Sequence, residues 1–257
     1  MVAESGYRSG EPKTLAVEGY RGERIKKLVL DLASPRAGER LLDVGCRDGE
    51  QLLLFHKRGC DVAGIDPSPT EVEAARSRLG QHADLRVGPL EDLPFSDDEF
   101  DLVTLTVSLE RASDPGRVVA EAIRVCRGRI FIGIMNRFSL IGLQGKLLSL
   151  FRLPARERHR TLPFTTLKAI IRSQLHGVRI QWGSVLFLPW RCYPSRANLE
   201  ELLPVINNPF GAFLGFSAAV HFSYRTVQQA IREPASLSTK IGGPMPGVVS
   251  RRGKHGP

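Results

Sequence analysis

The segment between Leu41 and Asp66 has the residue types and spacing of a nucleoside-binding turn. It reads LLDVGCRDGEQLLLFHKRGCDVAGID, in which two apolar runs flank a glycine-containing turn and the second run ends in an acid. Gly45 and Gly49 allow a sharp turn and the close approach of a ligand that a Cβ would exclude. Asp66 follows Gly45 by 21 positions, near the spacing at which a carboxylate meets ribose hydroxyls in doubly wound folds. The pattern predicts a bound nucleoside before it predicts a reaction.

The glycine spacing also distinguishes between nucleoside cofactors. A dinucleotide fold uses G-x-G-x-x-G to place a pyrophosphate on a helix N-terminus. Here the glycines fall as Gly45-x-x-x-Gly49, with Arg47 between them. This spacing argues against NAD.

The D-x-G-x-x-x-G string, the acid after the second strand and the later LPFSDDEFDLV together resemble class I S-adenosylmethionine-dependent methyltransferases. The resemblance is to the type 11 group, which includes the ubiquinone and menaquinone C-methyltransferases, and it covers about residues 38–136. It implies S-adenosylmethionine as cofactor and a Rossmann-like fold. It also implies that the last strand runs antiparallel, beside the fifth.

The apolar periodicity predicts an α/β protein with a seven-stranded, mostly parallel, doubly wound sheet. An N-terminal helix over residues 13–33 is expected to pack across the first strand. The expected strands are 40–46, 60–66, 84–88, 100–108, 129–136, 178–188 and 211–222, and the expected helices between them are 48–58, 69–79, 114–126, 165–175 and 196–203.

The resemblance assigns the cofactor to residues around the turn and the next strand end. Asp66, followed by Pro67, suits both ribose hydroxyls, since a carboxylate accepts two charge-assisted hydrogen bonds; the alternative is a carboxylate that caps the following helix. The turn of Gly45, Cys46 and Gly49 would lie along the methionine and ribose, or is an ordinary turn. Asp43 would order the turn or reach the methionine ammonium through water.

Two positions depart from the pattern of these enzymes. Arg47 stands where they have a small residue, and it either reaches the methionine carboxylate or points to solvent. Pro89 stands where relatives often have an aspartate for the adenine amino group. The adenine is therefore expected near the backbone of Leu90 and Glu91. Thr106, at the end of the fourth strand, is also predicted to contact the cofactor.

Candidate acceptor contacts lie at the carboxyl ends of the strands, where open α/β sheets bind ligands. Glu110 or His159 could remove a proton from a phenol or carbon acid, although each is also compatible with a surface residue. The segment TLTVSLERASDP lacks the Asn/Asp-Pro-Pro motif of base-directed amino methylation. The full set of contact candidates is Thr106, Ser108, Glu110, Arg111, Asn136 and Arg137.

Residues 138–160 are predicted to form an insertion after the fifth strand. Leu140, Leu143, Leu147 and Phe151 recur at helical spacing, and residues 146–160 contain five basic residues against one acidic. The segment could be a lid over an apolar acceptor, a contact for an anionic membrane surface, or a helix that completes the core.

The domain prediction is a disordered N-terminus (1–12), a methyltransferase domain (13–230) and a basic tail (231–257) rich in Gly, Pro and Ser. The absence of a signal-peptide pattern predicts a cytoplasmic protein, and four cysteines without metal-ligand spacing predict packed thiols and no metal site. Three functions remain open: methylation of a small lipophilic or amphipathic molecule, methylation of RNA or protein held by the basic segments (with nucleic acid not favoured), and a non-catalytic module that binds S-adenosylmethionine or S-adenosylhomocysteine.

Overall fold

The computed structural model describes residues 12–136, 139, 163–175, 177–187 and 204–220. All of them belong to one unit, Met1–Phe222. The predicted insertion (apart from Ser139), the predicted helix 196–203, the basic tail, Arg137 and His159 lie outside the described residues. The described elements are α1 (Pro12–Ala33), β1 (Arg40–Val44), α2 (Glu50–His56), β2 (Asp61–Asp66), α3 (Pro69–Leu79), β3 (Ala83–Val87), β4 (Phe100–Thr106), α4 (Pro115–Arg124), β5 (Cys126–Met135), α5 (Phe164–Gln174), β6 (Ile180–Val185) and β7 (Phe213–Ala219).

The strands form one seven-stranded sheet in the order β3-β2-β1-β4-β5-β7-β6. Strands β1 to β5 pair in parallel, whereas β7 lies antiparallel between β5 and β6. This confirms the expected doubly wound fold and its reversed last strand. The strand order changes direction between β1 and β4, which opens a crevice at their carboxyl ends, where such sheets bind ligands.

Two of the helices begin at a side-chain cap followed by proline. Ser68 Oγ accepts a hydrogen bond from the amide of Glu71 at the start of α3. Asp114 accepts from the amides of Gly116 and Arg117 at the start of α4. Such caps contribute about 1 kcal/mol each, and proline at the first helical position has the required φ and lacks a donor that would be left unpaired. The caps fix the loops that leave β2 and β4.

Helix α1 packs mainly against β5, β7 and β6, so the expectation that it crosses the first strand was wrong. Gly133, Gly215 and Gly183 lie side by side in the register of these three strands. A Cβ at Gly215 would come within 3.0 Å of Leu32 Cδ1, and one at Gly183 within 3.4 Å of Leu28 Cδ1. Gly215 and Gly183 therefore form a shallow trough that receives α1, whereas Gly133 is covered by Phe213 and Phe131.

Arg129 on β5 fixes the end of α1 to the sheet. Its guanidinium donates to the carbonyls of Ala33 (2.7 Å) and Ser34 (2.6 Å) and pairs with Glu39 at 2.6 Å. Both charged side chains are largely buried, and the hydrogen bond from Arg129 lowers the pKa of Glu39 below its usual value. Arg129 thus joins the start of β5 to the segment between α1 and β1, at the end of the parallel strands opposite the crevice.

Among the described helices, none combines the length and the apolar character that crossing a bilayer requires.

Candidate functional site

The turn after β1 is held against the end of β2. The amides of Gly45 and Cys46 both donate to the carbonyl of Ile65, at 2.7 and 3.1 Å. Gly45 has φ +81°, and a Cβ there would lie 2.5 Å from Ser108 Cβ. The glycine is therefore required both by the left-handed backbone and by the close approach of the loop after β4.

Asp66 lies beside this turn, as the sequence spacing predicts. Its carboxylate is fully buried and accepts hydrogen bonds from the amides of Arg47 (3.1 Å) and Ser68 (2.9 Å). Arg111 adds an ion pair at 3.5 Å. Ser68, rather than Asp66, caps α3, and Arg47 contacts Asp66 through its backbone while its own side chain is exposed.

A cavity of about 280 Å³ lies between α1, the turn after β1 and the end of β4. It is located at the crevice where the strand order reverses. Its lining residues are Gly22, Ile25, Lys26, Val29, Asp43, Gly45, Cys46, Arg47, Asp48, Glu50, Gln51, Leu54, Thr106 and Val107. The wall thus combines aliphatic side chains with both signs of charge.

Asp43 is the buried acid of the cavity. It is 2% exposed and accepts a hydrogen bond from Thr104 Oγ1 at 2.7 Å. Burial raises the pKa of the Asp43 carboxyl to about 7, and the charge of Asp66 acts in the same direction, while the bond from Thr104 opposes the shift. A cation bound in the cavity would favour the ionised form.

Lys26 and Gln51 line the cavity but were missed by the sequence analysis. Lys26 Nζ lies 3.0 Å from a carboxylate oxygen of Glu50 and 3.2 Å from one of Glu23. Gln51 donates to Thr106 Oγ1 at 2.8 Å, which links α2 to the end of β4. Gly22, Lys26 and Val29 fall at i, i+4 and i+7, so they share one face of α1.

Cys46 also lines the cavity and is 4% exposed. Burial, together with the charges of Asp43 and Asp66, raises the pKa of its thiol well above the usual value. The thiolate is the nucleophilic form, so Cys46 is a neutral packed thiol at physiological pH.

Val107 follows β4 with φ +59° and lines the cavity. A β-branched residue in this region is strained, and strained residues cluster at functional sites. Its amide donates to the carbonyl of Gly133 at 2.8 Å, so the turn is held to β5.

Five of the predicted cofactor residues do not line the cavity. Gly49 (φ +75°) is buried against Ala75 of α3, and Asp66 lies buried beside the turn. Leu90 is in the core, and Pro67 is exposed. Glu91 accepts from the amide of Ser113 at 2.8 Å, which joins the loop after β3 to the start of α4.

The described acceptor candidates make contacts within the protein. Glu110 is 5% exposed and accepts from the amide of Met135 at 2.6 Å. Asn136 donates to the carbonyls of Pro209 (2.7 Å) and Gly211 (2.9 Å). Ser108 is buried under Gly45, and Arg111 pairs with Asp66. Among the described residues, no group of three His, Cys, Asp or Glu is arranged to hold a metal ion.

Comparisons with known proteins agree with this geometry. Residues 42–131 match the model of the type 11 methyltransferase domain. The ubiquinone biosynthesis O-methyltransferase of Xanthomonas oryzae pv. oryzae is 31% identical over 188 residues, which are 67% of this chain and 76% of the relative. Its counterpart from Thiobacillus denitrificans is 35% identical over 114 residues. The match covers 42% of this chain and 49%, about half, of that relative.

An S-adenosylmethionine-dependent methyltransferase from Thermotoga maritima shares the fold, with a TM-score of 0.58 at 20% identity, covering 81% of this chain and 98% of that one. The chain belongs to the S-adenosylmethionine-dependent methyltransferases, in the type 11 group.

Proposed function

We propose that the protein methylates a small lipophilic or amphipathic molecule, with S-adenosylmethionine bound between α1 and the turn after β1. The proposal rests on the cavity beside the point where the strand order changes direction. A buried carboxylate (Asp43), a lysine (Lys26) and aliphatic side chains line this cavity. Parallel sheets of this class bind ligands at that point.

The charges around the cavity fit the zwitterionic methionine end of the cofactor. Asp43 is suited to an ammonium group, and Lys26 is suited to a carboxylate once it exchanges its contacts with Glu23 and Glu50. Asp66 lies beside the same turn and would accept the ribose hydroxyls after Arg111 moves away from it. The adenine site near Leu90 and Glu91 stays a prediction.

The acceptor class is inferred from two observations. The Xanthomonas oryzae relative, of whose length this chain covers 76%, is named a ubiquinone biosynthesis O-methyltransferase. The amphipathic pattern of residues 138–160 follows β5 in the sequence. We therefore propose a phenolic hydroxyl on an apolar body. Glu110 and His159 stay predictions for the base.

When bound, the cofactor supplies an electrophilic methyl group. The protein contributes by orienting the acceptor and excluding water, because an in-line displacement depends on the placement of its reactants. Ile25, Val29 and Leu54 give the cavity an apolar wall for this purpose.

The test compares two acceptors that differ only in their tail. The full chain is incubated with S-adenosylmethionine and either catechol or a catechol with a long alkyl chain, and S-adenosylhomocysteine formation is measured. We expect faster product formation with the alkylated catechol. A chain without residues 139–160 should lose this turnover but keep its affinity for S-adenosylhomocysteine.

The outcomes separate the alternatives. Tight binding of S-adenosylhomocysteine without turnover of any acceptor would indicate a non-catalytic binding module. Transfer to RNA that weakens steeply with salt would favour the nucleic-acid alternative. No binding of either cofactor form would overturn the proposed site.

A further inference from the structure

A second cavity, of about 250 Å³, lies on one face of the sheet between α5 and the outermost strand, β6. It shares no lining residue with the cavity beside Asp43. We call it the aromatic pocket. Its lining residues are Phe164, Lys168, Arg172, Val178, Ile180, Trp182 and Phe216.

Three aromatic rings form its wall. The ring centroids of Phe164 and Trp182 are 5.2 Å apart, those of Phe164 and Phe216 are 5.6 Å apart, and those of Trp182 and Phe216 are 6.3 Å apart. These separations fall in the range of favourable aromatic contacts. Trp182 and Phe216 are direct partners across β6 and β7, so both rings emerge on the same face of the sheet.

Two cations stand at the rim. Phe164, Lys168 and Arg172 occur at intervals of four on α5, so they share one face of the helix. Lys168 Nζ lies 5.6 Å from the centroid of the Phe164 ring. Within the part of the chain that the structure describes, neither Lys168 nor Arg172 has an ion-pair partner, and no acid lines the pocket.

The packing of α5 against the core does not account for the two cations. The helix is anchored to the core by Leu167 and Ile171, which are fully buried, and the half-buried rings of Phe164 and Trp182 pack against the same core. The stripe with Phe164, Lys168 and Arg172 instead faces the pocket, where two like charges one turn apart repel each other. An anion would relieve this repulsion, and the half-buried rings of Phe164 and Trp182 would contact a flat apolar body.

We propose that the aromatic pocket binds a small aromatic carboxylate, with its ring against Trp182 and Phe164 and its carboxylate between Lys168 and Arg172. A single-ring ligand is the smallest that would contact both the rings and the cations. Arginine and lysine both recognise carboxylates through charge-assisted hydrogen bonds. The site is independent of the cofactor cavity and of the transferase proposal.

The test uses benzoate as the probe and benzamide as its neutral isostere, with binding measured by saturation-transfer NMR and by tryptophan fluorescence. We expect saturable benzoate binding, at least about tenfold weaker binding of benzamide, and no displacement of benzoate by saturating S-adenosylhomocysteine. Acetate, which lacks the ring, should not compete.

A double variant, Lys168→Met with Arg172→Met, should weaken benzoate binding by at least about tenfold. The matched control changes two exposed cations on the other side of the fold, Lys57→Met with Arg58→Met, and should bind benzoate as the unaltered protein does. Equal binding of benzoate and benzamide, unchanged binding by the double variant, displacement by S-adenosylhomocysteine, or the absence of saturable binding would each overturn the proposal.

Discussion

Arg111 Nη1 lies 3.5 Å from Oδ2 of Asp66, at the carboxyl ends of β4 and β2. The carboxylate is fully buried, whereas the Arg111 side chain is 37% exposed. Two backbone amides, from Arg47 and Ser68, hold the carboxylate in place independently of Arg111. The acid that we assign to the ribose is therefore fixed by the backbone and covered by a cation that can move into solvent.

Replacing the acid should weaken cofactor binding. For Asp66→Asn we expect the affinity for S-adenosylhomocysteine to fall at least about tenfold, because hydrogen bonds to a charged group contribute about 1.5–3 kcal/mol. Calorimetry measures the change. Asp61→Asn, at the exposed start of the same strand, is the matched control and should leave affinity unchanged; equal effects of the two variants would argue against a ribose contact.

Removing the covering cation should have the opposite effect. Arg111→Gln frees the Asp66 carboxylate, and because a partly exposed ion pair contributes up to about 1 kcal/mol, affinity for S-adenosylhomocysteine should increase by up to about fivefold. The increase should shrink at high salt. A tenfold loss of affinity would instead place Arg111 among the cofactor contacts.

Asp43 should make the stability of the protein depend on pH. Its pKa is about 7 in the folded protein, against the ordinary 3.8. The raised value favours the neutral carboxyl, so this contribution is complete below about pH 4 and is lost as the pH rises through about 7. Each unit of the shift corresponds to about 1.4 kcal/mol. Denaturant unfolding of the wild type and of Asp43→Asn across this range should show the wild type losing stability relative to the variant as pH rises.

The same group should link cofactor binding to pH. If the methionine ammonium contacts Asp43, binding favours the ionised carboxylate, so affinity for S-adenosylhomocysteine should increase with pH through about 7. Calorimetry in buffers of different ionisation enthalpy should detect proton release. In Asp43→Asn the increase in affinity through about pH 7 should be absent. If the increase persisted, the proton released on binding would come from another group.

Lys26 should contribute to cofactor affinity, although no sequence motif marks it. Lys26→Met removes the cavity ammonium, and we expect a higher KM for S-adenosylmethionine with little change in kcat, since the contact is remote from the transferred methyl group. Lys27→Met is the matched control, because Lys27 is exposed and does not line the cavity. Steady-state kinetics of both variants would decide, and a matching KM increase in Lys27→Met would contradict the assignment.

The contact between Arg129 and Glu39 should matter more for stability than a similar pair nearby. Arg129→Met leaves a mostly buried carboxylate without its partner and should cost about 2–4 kcal/mol in the free energy of unfolding. Arg127→Met also breaks a close pair, 2.7 Å from Asp101, but the Arg127 side chain is 51% exposed, so its cost should stay below about 1 kcal/mol.

Acid should reduce the difference between Arg129→Met and the wild type. Because the pKa of Glu39 is lowered in the fold, the stability gained from the pair is present above the usual glutamate pKa and is lost as pH falls through the lowered one. Urea unfolding at neutral and acidic pH measures this. A difference that did not shrink in acid would mean that Arg129 acts through its contacts with the backbone carbonyls alone.

Local signals predicted several elements well. Helix α3 spans Pro69–Leu79 as expected, because a capping serine, a proline and a final glycine mark both ends in the sequence. Strand β5 begins at Cys126, three residues earlier than expected, since that start depends on pairing with Phe100 across a register shift. Such a distant partner leaves no local signal.

The sequence pattern placed part of the candidate site. Of the residues predicted to hold the cofactor, Asp43, Gly45, Cys46, Arg47 and Thr106 line the cavity, whereas the side that α1 contributes was missed. The docking surface of α1 includes Gly215 and Gly183, on strands much later in the chain. No pattern within the helix itself could reveal that surface.

The glycine trough has a consequence for shortened forms of the chain. A polypeptide that began at Ser34 would keep the sheet but leave three adjacent strands without their covering helix. The apolar face that includes Gly183, Gly215, Phe131 and Phe213 would then be exposed to water, which favours association between molecules. Such a truncation should self-associate and precipitate, so any search for a minimal catalytic fragment must retain the first helix.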